Sequence, residues 1–140
     1  MPVNPRQDQL AAAAAIAGTN ADGPLVMLNL NLYRERARYT SDPPGGGSPD
    51  VTGREAYERY GEVALEVLTR LGGEIRWHTT AKMTVIGDDS DIYDEVIAVR
   101  YPSAKAFLEL ALHPEIGAAL AHRDAGLERA ALIWCEDPAA

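Results

Sequence analysis

The chain has 140 residues, 46% of them hydrophobic, a single cysteine and a formal net charge of −8. That length supports one domain with a real core and excludes two, and the apolar content excludes a disordered chain. The acidic balance, with no basic stripe, excludes a nucleic-acid surface, and no run approaches the roughly 20 apolar residues that span a bilayer, so no membrane partner is expected. Cys135 alone forms no internal disulfide framework and suits a reducing compartment, so a cytoplasmic location is expected.

Asn4-Pro5 places an N-cap and an N1 proline ahead of an alanine-rich segment that stops at Gly18, predicting a helix over about residues 5–17 with a thin apolar face. Residues 1–22 therefore read as an N-terminal helix and linker. Leu25 to Tyr33 alternates as a strand, with Val26, Leu28, Leu30 and Leu32 on one side and Met27, Asn29, Asn31 and Tyr33 on the other. Asparagine is a poor strand-interior residue, so the Asn29 side should meet water, a partner or a ligand. The segment SDPPGGGSPD over 41–50 is rich in turn residues and reads either as a lid or as a solvated connector. Thr52 with Glu55 forms a capping-box pattern, opening a helix that buries Ala56, Tyr60, Ala64, Val67 and Leu71 and ends at Gly72-Gly73.

Glu74 to Ile86 reads as the second strand. One side carries Ile75, Trp77, Thr79, Ala81, Met83 and Val85, the other Arg76, His78, Thr80, Lys82 and Thr84; a one-residue slip exchanges them, so its phase is open. Residues 87–91 read as a hairpin loop. The third strand, to Tyr101, is apolar on both sides at Val96 to Val99 and so is expected to be central. Pro102 ends it, and Ser103 caps a helix carrying Phe107, Leu108, Leu110, Ala111 and Leu112. Pro114 interrupts, a second short helix runs to Asp124 and closes at Gly126, and Arg129 to Cys135 is the last strand.

The order is a helix followed by β-α-β-β-α(α)-β. It predicts an α+β ferredoxin-like domain over residues 23–136: a four-stranded antiparallel sheet with its helices on one face. The other face, assigned Met27, Val96 and Ala98, should not stay in water, so a homodimer joined through the sheet faces is expected.

The segments GPLVMLNLNLY, GREAYERYGEVA, LGGEIRW, YDEVIAVRYPSAKAFLELALHPE and AHRDAGLERAALI closely resemble the dimeric α/β-barrel proteins of domain-of-unknown-function family 1330. The resemblance covers about residues 23–134, and its YPS-x-x-AF, HPE and HR-x-AGLE elements are specific as a set. Tyr93 stands where members usually carry Trp. The resemblance implies a ferredoxin-like protomer, a dimeric α/β barrel and a homodimer. It implies no reaction, because the wider superfamily spans cofactor-free monooxygenases, isomerases and haem enzymes.

Candidate site residues follow from the face assignment. Asn29, Asn31 and Tyr33, with Asp94 and Arg100, are placed on the uncovered sheet face, joined by Arg76, His78 and Lys82 or by the Trp77 set. Together with Tyr60, His122 and Arg123 they make a candidate ligand site of Asn29, Asn31, Tyr33, Tyr60, Trp77, Arg100, His122 and Arg123. Such convergent polar groups suit a small polar or anionic organic molecule; a hydrated, salt-bridged dimer interface is the alternative. Arg100 either pairs with an acidic side chain across the dimer or anchors a carboxylate. Tyr57 and Tyr60 read as helix core and pocket wall.

His78 and His122 are the candidate acids or bases, though His122 also suits a helix C-terminus for its charge alone. His78, His113 and His122 lie on different elements with no H-E-x-x-H spacing, and the acidic run from Asp88 to Glu95 lacks the EF-hand pattern, so no metal is expected. With no G-x-S-x-G, P-loop or dinucleotide fingerprint, no cofactor is expected. Three functions stay open: a small-molecule binder, a cofactor-free enzyme of isomerase or monooxygenase type, and a structural dimer.

Overall fold

The computed structural model describes residues 4–139. Helix α1 (Gln7–Ile16) leads into β1 (Leu25–Tyr33), then α2 (Gly53–Arg70), β2 (Glu74–Thr80) and β3 (Glu95–Tyr101). Helices α3 (Ala104–Ala111) and α4 (Pro114–Gly126) and strand β4 (Leu127–Glu136) complete the chain. The four strands form one antiparallel sheet in the order β2-β3-β1-β4, which is the ferredoxin-like arrangement.

The helix starts lie where the sequence chemistry puts them. Thr52 accepts from the Glu55 amide while Glu55 reaches back to the Thr52 amide, a complete capping box. Ser103 accepts from Ala106 and starts α3 directly after Pro102. Asp22 adds a second cap to α3, taking the Ala104 amide at 2.7 Å. Burial pushes the Asp22 carboxyl up, but amides of Gly18, Gly23, Ala104 and Lys105 outweigh it and hold it below the usual carboxylate range. His113 caps α4 by accepting from the Glu115 amide.

One core holds the layers together. Leu25, Met27 and Tyr101 of the sheet pack against Val67, Leu68, Phe107, Leu110 and Ile116 of the helices. Helix α1 begins later than the Asn4-Pro5 pattern predicts, with Arg6 at its N-cap and no side-chain cap. Its thin apolar face is used within the chain: Ala13 is buried, and Leu10 and Ile16 pack against the same core.

The strand pairing overturns the expected face assignment. Leu25, Met27, Asn29 and Asn31 stand opposite Tyr101, Val99, Ile97 and Glu95, so all of them look toward the helices. Arg100 stands opposite Val26, on the other side. Asn29, Asn31, Tyr33 and Met27 therefore do not share a face with Arg100, Val96 and Ala98. Alternation in β3 could not decide this, because its middle is apolar on both sides; the aromatic and aliphatic stripes of the helices decide it by needing Leu25, Met27, Val99 and Tyr101 beneath them. The uncovered face is left with Val26, Leu28, Leu30, Leu32, Val96 and Ala98.

Strand β2 is shorter than expected and carries an irregularity. Ile75 pairs with Val99, but Trp77 pairs with Ala98, so the register shifts at Arg76. Ile75 and His78 thus lie on the helix side and Trp77 on the uncovered side. Pairing stops at Thr80, and residues 81–86 run on without a partner strand; Val85 and Ile86 there are 86% and 93% exposed. Strand β4 is longer than expected at both ends. Among the described residues no helix is long and apolar enough to cross a membrane.

Candidate functional site

Where the helix-facing row of β1 meets α2, the sheet and helices do not close. A cavity of about 230 Å³ remains, below the 300–1,000 Å³ of drug-sized sites. Its sheet-side wall includes Asn29, Ile97 and Val99, and its helix side includes Tyr57, Tyr60, Phe107, Leu110, Ile116 and Arg123. Leu65, Ile75, Leu120 and Leu132 also line it, and each is more than a third exposed, which marks the mouth. The walls are apolar except for the Asn4 and Asn29 amides, the Tyr57, Tyr60 and Tyr101 phenols and the Arg123 guanidinium.

Spacing along α2 explains how the polar groups gather. Arg54, Tyr57, Gly61 and Ala64 recur at three, four and three residues, and Tyr60 flanks that row. The Tyr57 ring stands 5.4 Å from that of Tyr33 and 5.6 Å from that of Tyr60. Burial pushes both the Tyr57 and Tyr60 phenols up, while the Arg123 charge draws them back in part.

Beyond Tyr57 lies a polar nest built on the paired residues Asn31 and Glu95. Asn31 is 2% exposed and donates from Nδ2 to the Tyr33 hydroxyl at 3.4 Å. Tyr33 in turn donates to Glu95 Oε1, with the Arg54 guanidinium 4.6 Å over its ring. Burial, and then the Glu95 carboxylate, push the Tyr33 phenol far up. Glu95 also meets Arg54 at 3.6 Å and His78 Nδ1 at 3.3 Å. The nest joins the cavity wall to solvent at the sheet edge.

The structure brings together Asn29, Tyr60 and Arg123 at the cavity, with Asn31 and Tyr33 behind its wall and His78 at the far edge. It separates the rest. His122 is buried at 6% exposure, with Nε2 3.0 Å from the Pro44 carbonyl and Nδ1 2.7 Å from the Tyr39 hydroxyl. A carbonyl only accepts, so Nε2 carries the proton and Nδ1 accepts from Tyr39. Burial lowers the affinity of His122 for a second proton, outweighing the Pro44 carbonyl that favours it. Arg59 donates to the Tyr39 hydroxyl and to the Ser48 carbonyl. His122 is thus a tie that fixes the 34–52 segment to α4, and it does not line the cavity. The 41–50 segment is anchored at Pro43, which is buried, and at the Pro44 and Ser48 carbonyls, while the rest of it is exposed.

Arg100 and Trp77 belong to the opposite face. Arg100 Nε lies 3.1 Å from Asp137 Oδ2, and Arg76 Nη2 reaches the same oxygen at 3.4 Å. The pair is within one chain, because the tail after β4 returns Asp137 to the sheet. The Ala139 amide, then the two guanidiniums, hold the Asp137 carboxyl low despite burial. Among the described residues no three His, Cys, Asp or Glu side chains are grouped to hold a metal.

Sequence reasoning missed Arg54, Glu95 and Asp137. Arg54 and Tyr57 were legible as one helix row, and Glu95 has the parity of Ile97 and Val99; Asp137 carries no signal, lying in an apparent tail.

The family model described as "Domain of unknown function (DUF1330)" matches residues 47–135, most of the chain. The chain belongs to the DUF1330 family. The matched span includes Arg54, Tyr57, Tyr60, Glu95 and Arg123, and leaves β1, with Asn29 and Asn31, outside it. The chain is similar in structure to RPA0582 of Rhodopseudomonas palustris, a protein of unknown function, at 32% identity and a TM-score of 0.81, covering 96% of this chain and 95% of that one. The methylated form of RPA0582 is similar at 33% identity and the same TM-score of 0.81, covering 99% of this chain and 98% of that one. No curated protein matches the chain.

Proposed function

We propose that this DUF1330 protein is a homodimeric binder of a small organic molecule, taken up between the sheet and the helices. The observation that carries the reading is the cavity of about 230 Å³, apolar over most of its wall, with Asn29, Tyr57, Tyr60 and Arg123 converging on it. An apolar pocket with few placed polar groups is what small-ligand sites have in common. Asn29, Tyr60 and Arg123 contact the ligand in this reading, Asn31 and Tyr33 support Tyr57, and His78 with Glu95 controls the polar end. The unpaired Cys135 supports a reducing, cytoplasmic setting.

The dimer part of the proposal rests on the uncovered leucine row of β1 and on the exposed Met83, Val85 and Ile86 beyond β2. Contiguous apolar surface of that kind is unusual on a monomer. Native mass spectrometry of freshly purified protein tests both parts. The expected result is two 15.1 kDa chains with a co-purified small molecule released on denaturation. A single chain overturns the dimer, and a ligand-free mass that no small organic molecule shifts overturns the binding reading.

A further inference from the structure

We infer that the cavity is an oxyanion site: it takes a small organic acid, a carboxylate or an enolate on an apolar body, with the Tyr57 hydroxyl donating to the anionic oxygen and Arg123 supplying the opposing charge. The inference rests on the reading that the cavity binds a ligand, and adds which chemistry that ligand has.

Tyr33 gives its hydroxyl proton to Glu95, so its oxygen can only accept from Asn31. That fixes the orientation of the Asn31 amide, with the NH₂ group toward the tyrosines. The Asn31 side chain also draws the Tyr57 phenol down in part, against the burial that pushes it up. Tyr57 itself lines the cavity, its ring packed against those of Tyr33 and Tyr60, so its hydroxyl is placed to donate to an occupant.

The remaining groups decide the sign of the ligand. Buried Tyr57 and Tyr60 hold their protons, so they act as donors and not as bases. Asn29 spends its NH₂ group on the Met27 and Ile97 carbonyls and adds no donor. Arg123 lines the same cavity and its charge reaches both phenols. Among the described residues no carboxylate lines the cavity; Glu95 is screened from it by Tyr33 and Asn31. A neutral donor held by buried partners beside a cation, among apolar walls, is the arrangement that stabilises a negative oxygen without reorganising. Phe107, Leu110 and Ile116 leave the body of the ligand to be hydrocarbon.

Titration calorimetry on the full chain tests this with matched acids and amides: phenylacetate against phenylacetamide, and octanoate against octanamide. At least one acid is expected to bind about tenfold or more tightly than its amide, since a hydrogen bond to a charged group carries that discrimination. Tyr57→Phe and Arg123→Met are each expected to weaken the acid about tenfold or more and the amide by a smaller factor. Near-ultraviolet circular dichroism checks folding, and Arg123→Met decides if Tyr57→Phe does not fold. An amide that binds as tightly as its acid, or acid affinity untouched by both variants, overturns the oxyanion assignment while the binding reading stands. If neither acids nor amides bind, both fall.

Discussion

Gly53 and Gly126 touch backbone to backbone where the start of α2 crosses the end of α4. A Cβ on Gly126 would stand 2.4 Å from the Gly53 carbonyl oxygen, and one on Gly53 would stand 2.1 Å from the Arg34 carbonyl oxygen. Arg34 closes the knot by donating to the Gly126 carbonyl at 2.8 Å and accepting from the Gly53 amide at 3.1 Å. Both glycines are required by close approach, since neither has a positive φ. The crossing brings Arg54 and Tyr57, at the start of α2, near Arg123, in the last turn of α4.

Gly126→Ala is therefore expected to force the helices apart. Overpacking of a close crossing costs about 1–3 kcal/mol, or on the order of 5–10 °C in melting temperature for a domain of this size. Thermal unfolding followed by far-ultraviolet circular dichroism checks it. An unchanged midpoint would mean that the helices have slack at this point.

His122 gives a pH dependence with a definite sign. Its folded form is neutral, with a proton affinity below the ordinary histidine value, so the unfolded chain takes up a proton first as pH falls. The stability it contributes is complete above the unfolded pKa of about 6.5 and is lost as pH falls through the lower folded value. His122→Gln should cost about 1–2 kcal/mol at pH 8 through its bonds to Tyr39 and the Pro44 carbonyl. Urea unfolding of both proteins measures the gap, which should narrow toward pH 5. A gap that stays constant would show that His122 does not titrate with folding.

Asp137 serves two guanidiniums and should behave as a structural carboxylate. Asp137→Ala leaves Arg76 and Arg100 without their shared partner, and both are partly exposed, so a loss of stability in urea unfolding is expected, below that of a fully buried pair. Its folded pKa is lowered, so its contribution is present above the unfolded value of about 3.9 and disappears as pH falls below it. Arg100→Lys should leave any co-purified ligand in place, because Arg100 faces away from the cavity. Ligand lost from a folded Arg100→Lys protein would return that residue to the site.

The sequence carries the fold through local signals that agree with one another: the Thr52–Glu55 and Ser103 caps, the prolines that stop β3 and start α4, and the alternation of β1. It does not carry the faces. Val96 to Val99 are apolar on both sides, and the Val26–Leu32 row looks as fit for the helix side as the Asn29 row. The natural guess, that leucines go under helices and asparagines to the open side, fails because Asn31 and Asn29 find partners in Tyr33 and in backbone carbonyls. His122 and Arg123 show the same limit on a helix. They are adjacent in sequence, yet one turns to the Pro44 strap and the other to the cavity. The shift at Arg76, which puts Ile75 and His78 on one face as no single phase predicts, depends on how β2 meets β3 and leaves no local mark.

That misplaced leucine row supplies the last prediction. Leu28 and Leu30 lie at the centre of the uncovered face, opposite Ala98 and Val96 on one side and Ile133 and Ala131 on the other. Their side chains make no contribution to the core beneath the helices, so a polar change there should spare the fold of one chain. If two chains bury these faces against each other, Leu30→Asp places an unpaired carboxylate in a desolvated interface, which costs several kcal/mol. The expected result is a dimer weakened about a hundredfold or more, seen by light scattering as a shift toward the mass of one 15.1 kDa chain. Leu65→Asp is the control, since Leu65 is exposed on α2, away from that face. If Leu30→Asp keeps a two-chain mass at low micromolar concentration, the open face is not the interface. If the parent chain is already a single-chain species, the leucine row faces water and the dimer proposal fails outright.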